Sequence, residues 1–336
     1  MVSFHTSLDS YLAPNILARY PQVEMFRMWD WNMEQAVDLL AKNGLIYLTD
    51  WHMISLWKQF TTHPRAPREA TVLVDGIPDD WPRPPGWRVI RVNGWAYKFG
   101  LLARQLGTPC LYHRNPAAMD RTFMIQCGSH DQGRAQFINL LRQMDLLEGA
   151  AWSTVEIGQD QYVFDPDPAE ANSVMAAPQT SHTWDEVSFD RRKKFEHDEN
   201  ARDSIDMHRR CHFAVAMANH ALADTCGSFT EKQFWATLSG VPVIWLGSEY
   251  QRQQLLGWGF REAMPVPGHT PGATRWETAW RWACEIAGMH RLIQNPEWAQ
   301  RWHDRQSQGR VDNHRATMAL CDTIVEDIQS QLERSC

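Results

Sequence analysis

Thr230, Glu231 and Lys232 stand at the head of a stretch, EKQFWATLSG, that carries the apolar spacing of a short helix. Thr230 followed three residues later by Gln233 is a capping-box pattern, with Thr at the N-cap and Gln at N3. A helix begun this way offers free backbone N–H groups and the positive end of its dipole to an anion. Lys232 in the first turn adds a full positive charge at the same place. Glu231 would repel a phosphate and instead suits hydrogen bonds from hydroxyls such as a ribose diol. Together the pair fits a nucleoside diphosphate. The plainer alternative is a normally capped surface helix with an incidental Glu-Lys pair, and the residues alone leave both readings open.

The elements around these residues decide what they can reach. Phe213–Met217 reads as a buried strand, Ala218–Phe229 as a loop of small and polar residues, and Glu231–Ser239 as the helix. Gly240 is placed to stop that helix in a left-handed conformation, and Val241–Leu246 reads as the next strand. This is one βαβ unit with a right-handed crossover, and it puts the loop and the helix start at the carboxyl ends of the strands, where open α/β sheets bind ligands. Further strands are expected at Leu45–Thr49, Thr71–Val74, Arg88–Val92 and Thr122–Cys127. Helices are expected at Met33–Asn43, Ala96–Leu106, Arg134–Leu147, Arg275–Arg291 and His314–Glu333. Such alternation predicts an α/β chain with parallel sheets and helices on both faces. At 336 residues the chain is long for one core. The expected division is residues 1–118, 119–310 and a closing helical stretch 311–336 that packs back on the first domain. There is no internal repeat. Pro-rich residues 63–86 and the DPDP-containing residues 159–190 read as loop-rich.

The block FTEKQFWATLSGVPVIWLG resembles the Thr-Glu-Lys signature of GT-B glycosyltransferases of the fucosyltransferase type, and more closely a group of phage-encoded glycosyltransferases. In that group a helix, a Gly-Pro-apolar strand and a downstream Gly-Phe element follow. The last is represented here by Leu256-Gly257-Trp258-Gly259-Phe260. Upstream, FMIQCGSHDQGR (Phe123–Arg134) resembles the strand–loop–Arg start of the nucleotide-binding domain. The likeness covers residues 120–265. It implies two Rossmann-like domains facing across a cleft, the first binding acceptor and the second a nucleotide-diphosphate sugar, with a UDP-sugar as the expected donor and no cofactor required. By that resemblance Lys232 and Arg134 would contact the diphosphate and Glu231 the ribose. Thr230, Asn219, Gly128 and His130 complete the expected donor set on the loops that follow strands 122–127 and 213–217. The family's Phe-Glu-Asn is replaced by Met217-Ala218-Asn219, and the missing carboxylate at Ala218 speaks against fucose itself as the sugar.

Sugar transfer also needs a base for the acceptor hydroxyl, a carboxylate or His of near-neutral pKa. Asp50 and His52 directly follow the strand Leu45–Thr49, and Asp30 lies in the Trp-rich MWDWN. The order of preference is Asp50, His52, Asp30. Each has an ordinary alternative, as a helix cap or a surface histidine. His208 and His212 are spaced i, i+4 and could share a helix face as metal ligands, but the motif lacks a zinc-protease Glu and His212 abuts a strand. No metal is therefore expected. Trp29, Trp31, Trp51, Trp57 and Trp95 could stack on a sugar or a base, or could simply fill a core.

Composition sets outer limits. Hydrophobic residues at 43% and charged residues at 22% exclude a disordered chain. No apolar run reaches the length of a membrane span, the N-terminus has no secretory pattern, and seven scattered cysteines without a CxxC read as reduced thiols in the cytoplasm. No obligate protein partner is indicated. Net charge is −7, yet residues 1–118 carry 12 Lys/Arg against 10 Asp/Glu, and residues 65–104 hold seven basic residues against four acids. The expected acceptor is a 5-hydroxymethylpyrimidine in phage DNA, reached by base flipping. The alternatives are a bacterial surface glycan or small acceptor, and a non-catalytic nucleotide- or DNA-binding module of the same shape.

Overall fold

The computed structural model describes residues 24–26, 33–43, 45–48, 57, 59–74, 83–111, 113–126, 132–153, 197–218, 229, 231–263 and 275–333. The chain is α/β, and its described residues form two four-stranded sheets whose strand pairs are all parallel. It forms two compact units: Met1–Leu102 with Cys226–Phe229 and Ala319–Cys336, and Ala103–Thr225 with Thr230–Met318.

In the first unit the strands β1 (Glu24–Phe26), β2 (Leu45–Leu48), β3 (Ala70–Val74) and β4 (Trp87–Arg91) lie side by side in chain order. Helix α1 (Met33–Asn43) joins β1 to β2, and α2 (Gly94–Leu106) follows β4. A strand shows alternate side chains to opposite faces, and β3 uses both. Ala70, Val72 and Val74 meet Ala36, Val37 and Leu40 of α1, with Trp57, Phe60 and Trp87 completing that core. Leu73, on the other face, is also fully buried. Arg88 lies on the face away from Trp87 and donates to the Leu332 carbonyl at 3.4 Å. The chain's last helix therefore helps cover that second face. Gly100 of α2 is the close-approach point, since a Cβ there would sit 2.8 Å from the Cys321 backbone nitrogen.

The second unit has strands β5 (Arg121–Gln126), β6 (Ala151–Ser153), β7 (Cys211–Met217) and β8 (Val243–Leu246) in the order β6-β5-β7-β8. Its helices are α3 (Gln132–Gln143), α4 (His197–Arg209), α5 (Glu231–Leu238), α6 (Glu249–Gly257), α7 (Arg275–Ile293) and α8 (Pro296–Arg305). Helix α9 (Ser307–Glu333) begins here and ends in the first unit. Phe123, Ile125, Phe213, Val215, Met217, Ile244 and Leu246 make one face and pack with α3, α7 and α8 through Phe137, Trp282 and Trp302. Phe123 and Phe213, paired in register, stack at 5.4 Å. On the other face Met124 clusters with Met207 of α4. Both faces are thus covered, as the unbroken apolar run FAVAM in β7 requires.

The expected strands and helices recur with shifted ends. The helix expected to reach Leu147 stops at Gln143, although Leu146 and Leu147 are buried and keep the apolar spacing. The stop is Asp145, whose φ of 56° is left-handed and breaks the helical path. The helix expected from His314 begins at Ser307 instead.

Candidate functional site

The second sheet reverses its strand order. From β5 the chain moves outward to β6 and then returns to place β7 on the other side of β5. A crevice outside the carboxyl ends of two strands that flank such a reversal is the general ligand position of open α/β sheets. Here those strands are β5, ending at Gln126, and β7, ending at Met217. Helix α3 follows the first and α5 the second. Both helices start at the same edge of one sheet.

Helix α5 is held on all sides. Gln233, Phe234, Trp235, Ala236, Thr237 and Leu238 are all buried. Thr237 Oγ1 donates to the Phe234 carbonyl at 2.9 Å and lies 2.8 Å from Thr317 Oγ1. Gly240 ends the helix at φ 69°, with its N–H on the Thr237 carbonyl at 3.2 Å, which is the left-handed stop the sequence suggests. Phe260, fully buried, packs edge-on against Trp245 of β8 at 6.1 Å and beside Phe234 at 6.0 Å. The Gly-Phe element thus anchors α5 and β8 together. Such clamping fixes where α5 begins.

The rest of the carboxyl edge is built from small residues and a cap. The Ala218 N–H donates to the Leu246 carbonyl at 2.8 Å, extending the pairing of β7 and β8. Gly247 follows β8, and a Cβ there would lie 2.3 Å from Gln251 Oε1 and 3.3 Å from Ala218 Cβ. Ser248 closes a full capping box with Gln251 on α6. At the end of β5, the Gln126 side-chain amide donates to Ser204 Oγ of α4 at 3.2 Å. Gln126 is a polar group at the candidate edge that the sequence reading overlooks. Nothing in its local pattern distinguishes it from any strand-terminal glutamine.

The sequence-derived residues fall as follows. Glu231 and Lys232 are the first two residues of α5, and Arg134 is the third residue of α3. Thr230, Asn219, Gly128 and His130 lie outside the described residues, in the segments that join β5 to α3 and β7 to α5. Asp30, Asp50 and His52 also lie outside them, as do Trp29, Trp31 and Trp51 and the side chain of Trp95. Trp57 is core, fully buried against Phe60 and Trp87. His208 and His212 do not share a helix face. His208 lies in the last turn of α4 with Nδ1 2.6 Å from the Ser204 carbonyl, whereas His212 is on β7 with Nδ1 3.2 Å from His303 Nε2. Among the described residues no three His, Cys, Asp or Glu side chains gather as a metal site. No helix among them is long and apolar enough to cross a membrane.

No protein-family model, curated protein or solved structure matches this chain.

Proposed function

We propose that the chain is a glycosyltransferase of GT-B type that holds a nucleotide-diphosphate sugar, in the first instance a UDP-sugar, at the carboxyl edge of its second sheet. One observation carries this reading: the strand-order reversal makes α3 and α5 begin at the two strand ends where such sheets bind ligands. The Thr-Glu-Lys resemblance falls on the start of one of these helices and the Arg134 resemblance on the start of the other. In this scheme Lys232, Arg134 and the α5 N-terminus stabilise the departing diphosphate without a metal, and Glu231 takes the ribose hydroxyls. Asp50, His52 or Asp30 of the first unit accepts the acceptor's proton. The proposed compartment is the cytoplasm, in keeping with Cys110, Cys211 and Cys284 as thiols rather than disulfides.

The proposed acceptor is a hydroxymethylated pyrimidine in duplex DNA, supported by the net positive charge of residues 1–118. A glycan or small acceptor has its own support. Arg65 pairs with Glu34 and Asp38, Arg104 donates to the Met318 carbonyl at 2.6 Å, and Lys98 is buried. These cations are engaged within the protein rather than offered to phosphates.

A thermal-shift screen against nucleotide sugars and bare diphosphates tests the donor site. Ligand at about 100 times its Kd adds about 2.7 kcal/mol to stability. A selective shift that disappears in Lys232→Ala is the expected result, and no shift with any nucleotide rejects the reading. Transfer of labelled sugar to hydroxymethylated DNA or to glycan acceptors then separates the two acceptor classes.

A further inference from the structure

The amino edge of the second sheet, opposite the candidate donor edge, gathers more cations than anions among the described residues. Arg114 lies just before β5 and is 8% exposed. Its Nη2 donates to the carbonyls of Arg209, where α4 ends, and of Cys211, where β7 begins, at 2.5 and 2.9 Å. Those carbonyls satisfy one nitrogen. Arg114 Nη1 is buried and has no hydrogen-bond partner among the described residues. The groups acting on the Arg114 charge are Arg310 and Arg209, which oppose it, and the Cys211 thiol. That thiol stays neutral, because burial pushes its pKa up to about 12. Buried charges are ordinarily paired, and among the described residues no carboxylate acts on this one.

Other donors at this edge also have no partner among the described residues. Arg209 Nε and Nη2 are buried without partners, although its Nη1 reaches Asp206 at 3.3 Å. His303 of α8 is 1% exposed, with Nε2 on His212 and Nδ1 unpartnered. Arg310 donates to the His303 carbonyl at 2.7 Å. His212 follows Cys211, whose carbonyl Arg114 holds, and its Nδ1 lies 3.2 Å from His303 Nε2, which ties His303 to the same strand end. The nearby acids have other partners: Asp120 is paired with Arg210, Asp206 with Arg209, and Asp304 accepts from Gln300 at 2.9 Å.

We propose that this cluster is a binding site for a small tetrahedral oxyanion of the phosphate or sulfate class, held by Arg114 Nη1 and His303 Nδ1, with Arg209 and Arg310 supplying further positive charge. A dianion there meets the unpartnered donors and offsets the uncompensated guanidinium. With His212 Nδ1–H donating to His303 Nε2, His303 carries its proton on Nδ1, which is the tautomer an oxyanion requires. Neither Lys232 nor α5 takes part, so this site is independent of the donor edge.

Isothermal titration of the full chain with sodium phosphate, and separately with sodium sulfate, at fixed ionic strength tests the proposal. The expected result is one saturable event per chain, with the two anions competing. Arg114→Gln weakens it at least about tenfold, the loss expected for one charge-assisted hydrogen bond, whereas Lys232→Ala leaves it in place. If Arg114→Gln does not fold, His303→Phe, which removes both ring nitrogens, is read in the same way. No saturable binding of either anion up to about 10 mM, where even a millimolar site would be mostly filled, overturns the proposal. Binding lost in Lys232→Ala and kept in Arg114→Gln overturns it as well.

Discussion

The buried histidines should cost stability as pH falls, and His208 gives the clearest case. Its ring is fully enclosed, and Nδ1–H donates to the Ser204 carbonyl at 2.6 Å, so Nε2 is the nitrogen that must take the added proton. Burial, chiefly, and the Arg114 charge lower its pKa from 6.5 to about 4. Above pH 6.5 the ring is neutral in both folded and unfolded chains and contributes no slope. As pH falls below 6.5 the unfolded chain takes up the proton first, so stability is lost progressively until about pH 4. Between pH 7.5 and 5.0 the linkage amounts to about 2 kcal/mol for this residue alone, against a typical total of about 5–15 kcal/mol. His212, lowered to about 4, and His303, lowered further, act in the same direction. Urea unfolding followed by Trp fluorescence at several pH values, in buffer free of phosphate and sulfate, measures the slope. His208→Gln should be less stable at pH 7.5 yet lose about 2 kcal/mol less on going to pH 5.0. An unchanged slope in that variant would refute the reasoning.

Three further outcomes follow from packing. Phe260→Ala removes the ring between Trp245 and Phe234 and should cost about 3–5 kcal/mol, read as a lower Tm. Gly100→Ala drives a methyl into the Cys321 backbone and should cost about 1–3 kcal/mol, lost if a shift of α9 relieves the contact. Ser248→Ala breaks the capping box of α6 and should cost about 1 kcal/mol, with no effect on phosphate binding at the amino edge.

Much of the second sheet is legible in the sequence because its strands are buried on both faces. Phe213–Met217 and Val243–Leu246 are continuous apolar runs, and Gly240 marks the turn between them. The short edge strands are not legible. Glu24–Phe26 and Ala151–Ser153 have three residues each, too few for a period to show. Helix α4 hides behind its charge, since HDENARDSIDMHR buries few apolar side chains beyond Ile205 and Met207. Helix α6 carries a readable signal in Ser248 and Gln251 at capping-box spacing, which the resemblance around it overshadows. The start of α5 is legible from Thr230, Glu231 and Gln233. The cation cluster is not, because Arg114, Arg209, His303 and Arg310 meet only once α4, β7, α8 and α9 are folded together. No spacing in the chain encodes that meeting.

The bond from Arg88 to the Leu332 carbonyl joins residues 244 positions apart, and the Gly100 contact with Cys321 is nearly as distant. During synthesis at about 5–20 residues per second, the first sheet waits roughly 12–50 seconds for the segment that helps cover one of its faces. The first sheet, whose strands precede those of the second, is thus completed after them. Until then Leu73 and Ile90 depend on whatever else shields them in the nascent chain, a gap that holdase chaperones are suited to fill. A chain cut just before Ala319 would keep the second unit's strands and lose the segment that helps cover the first sheet.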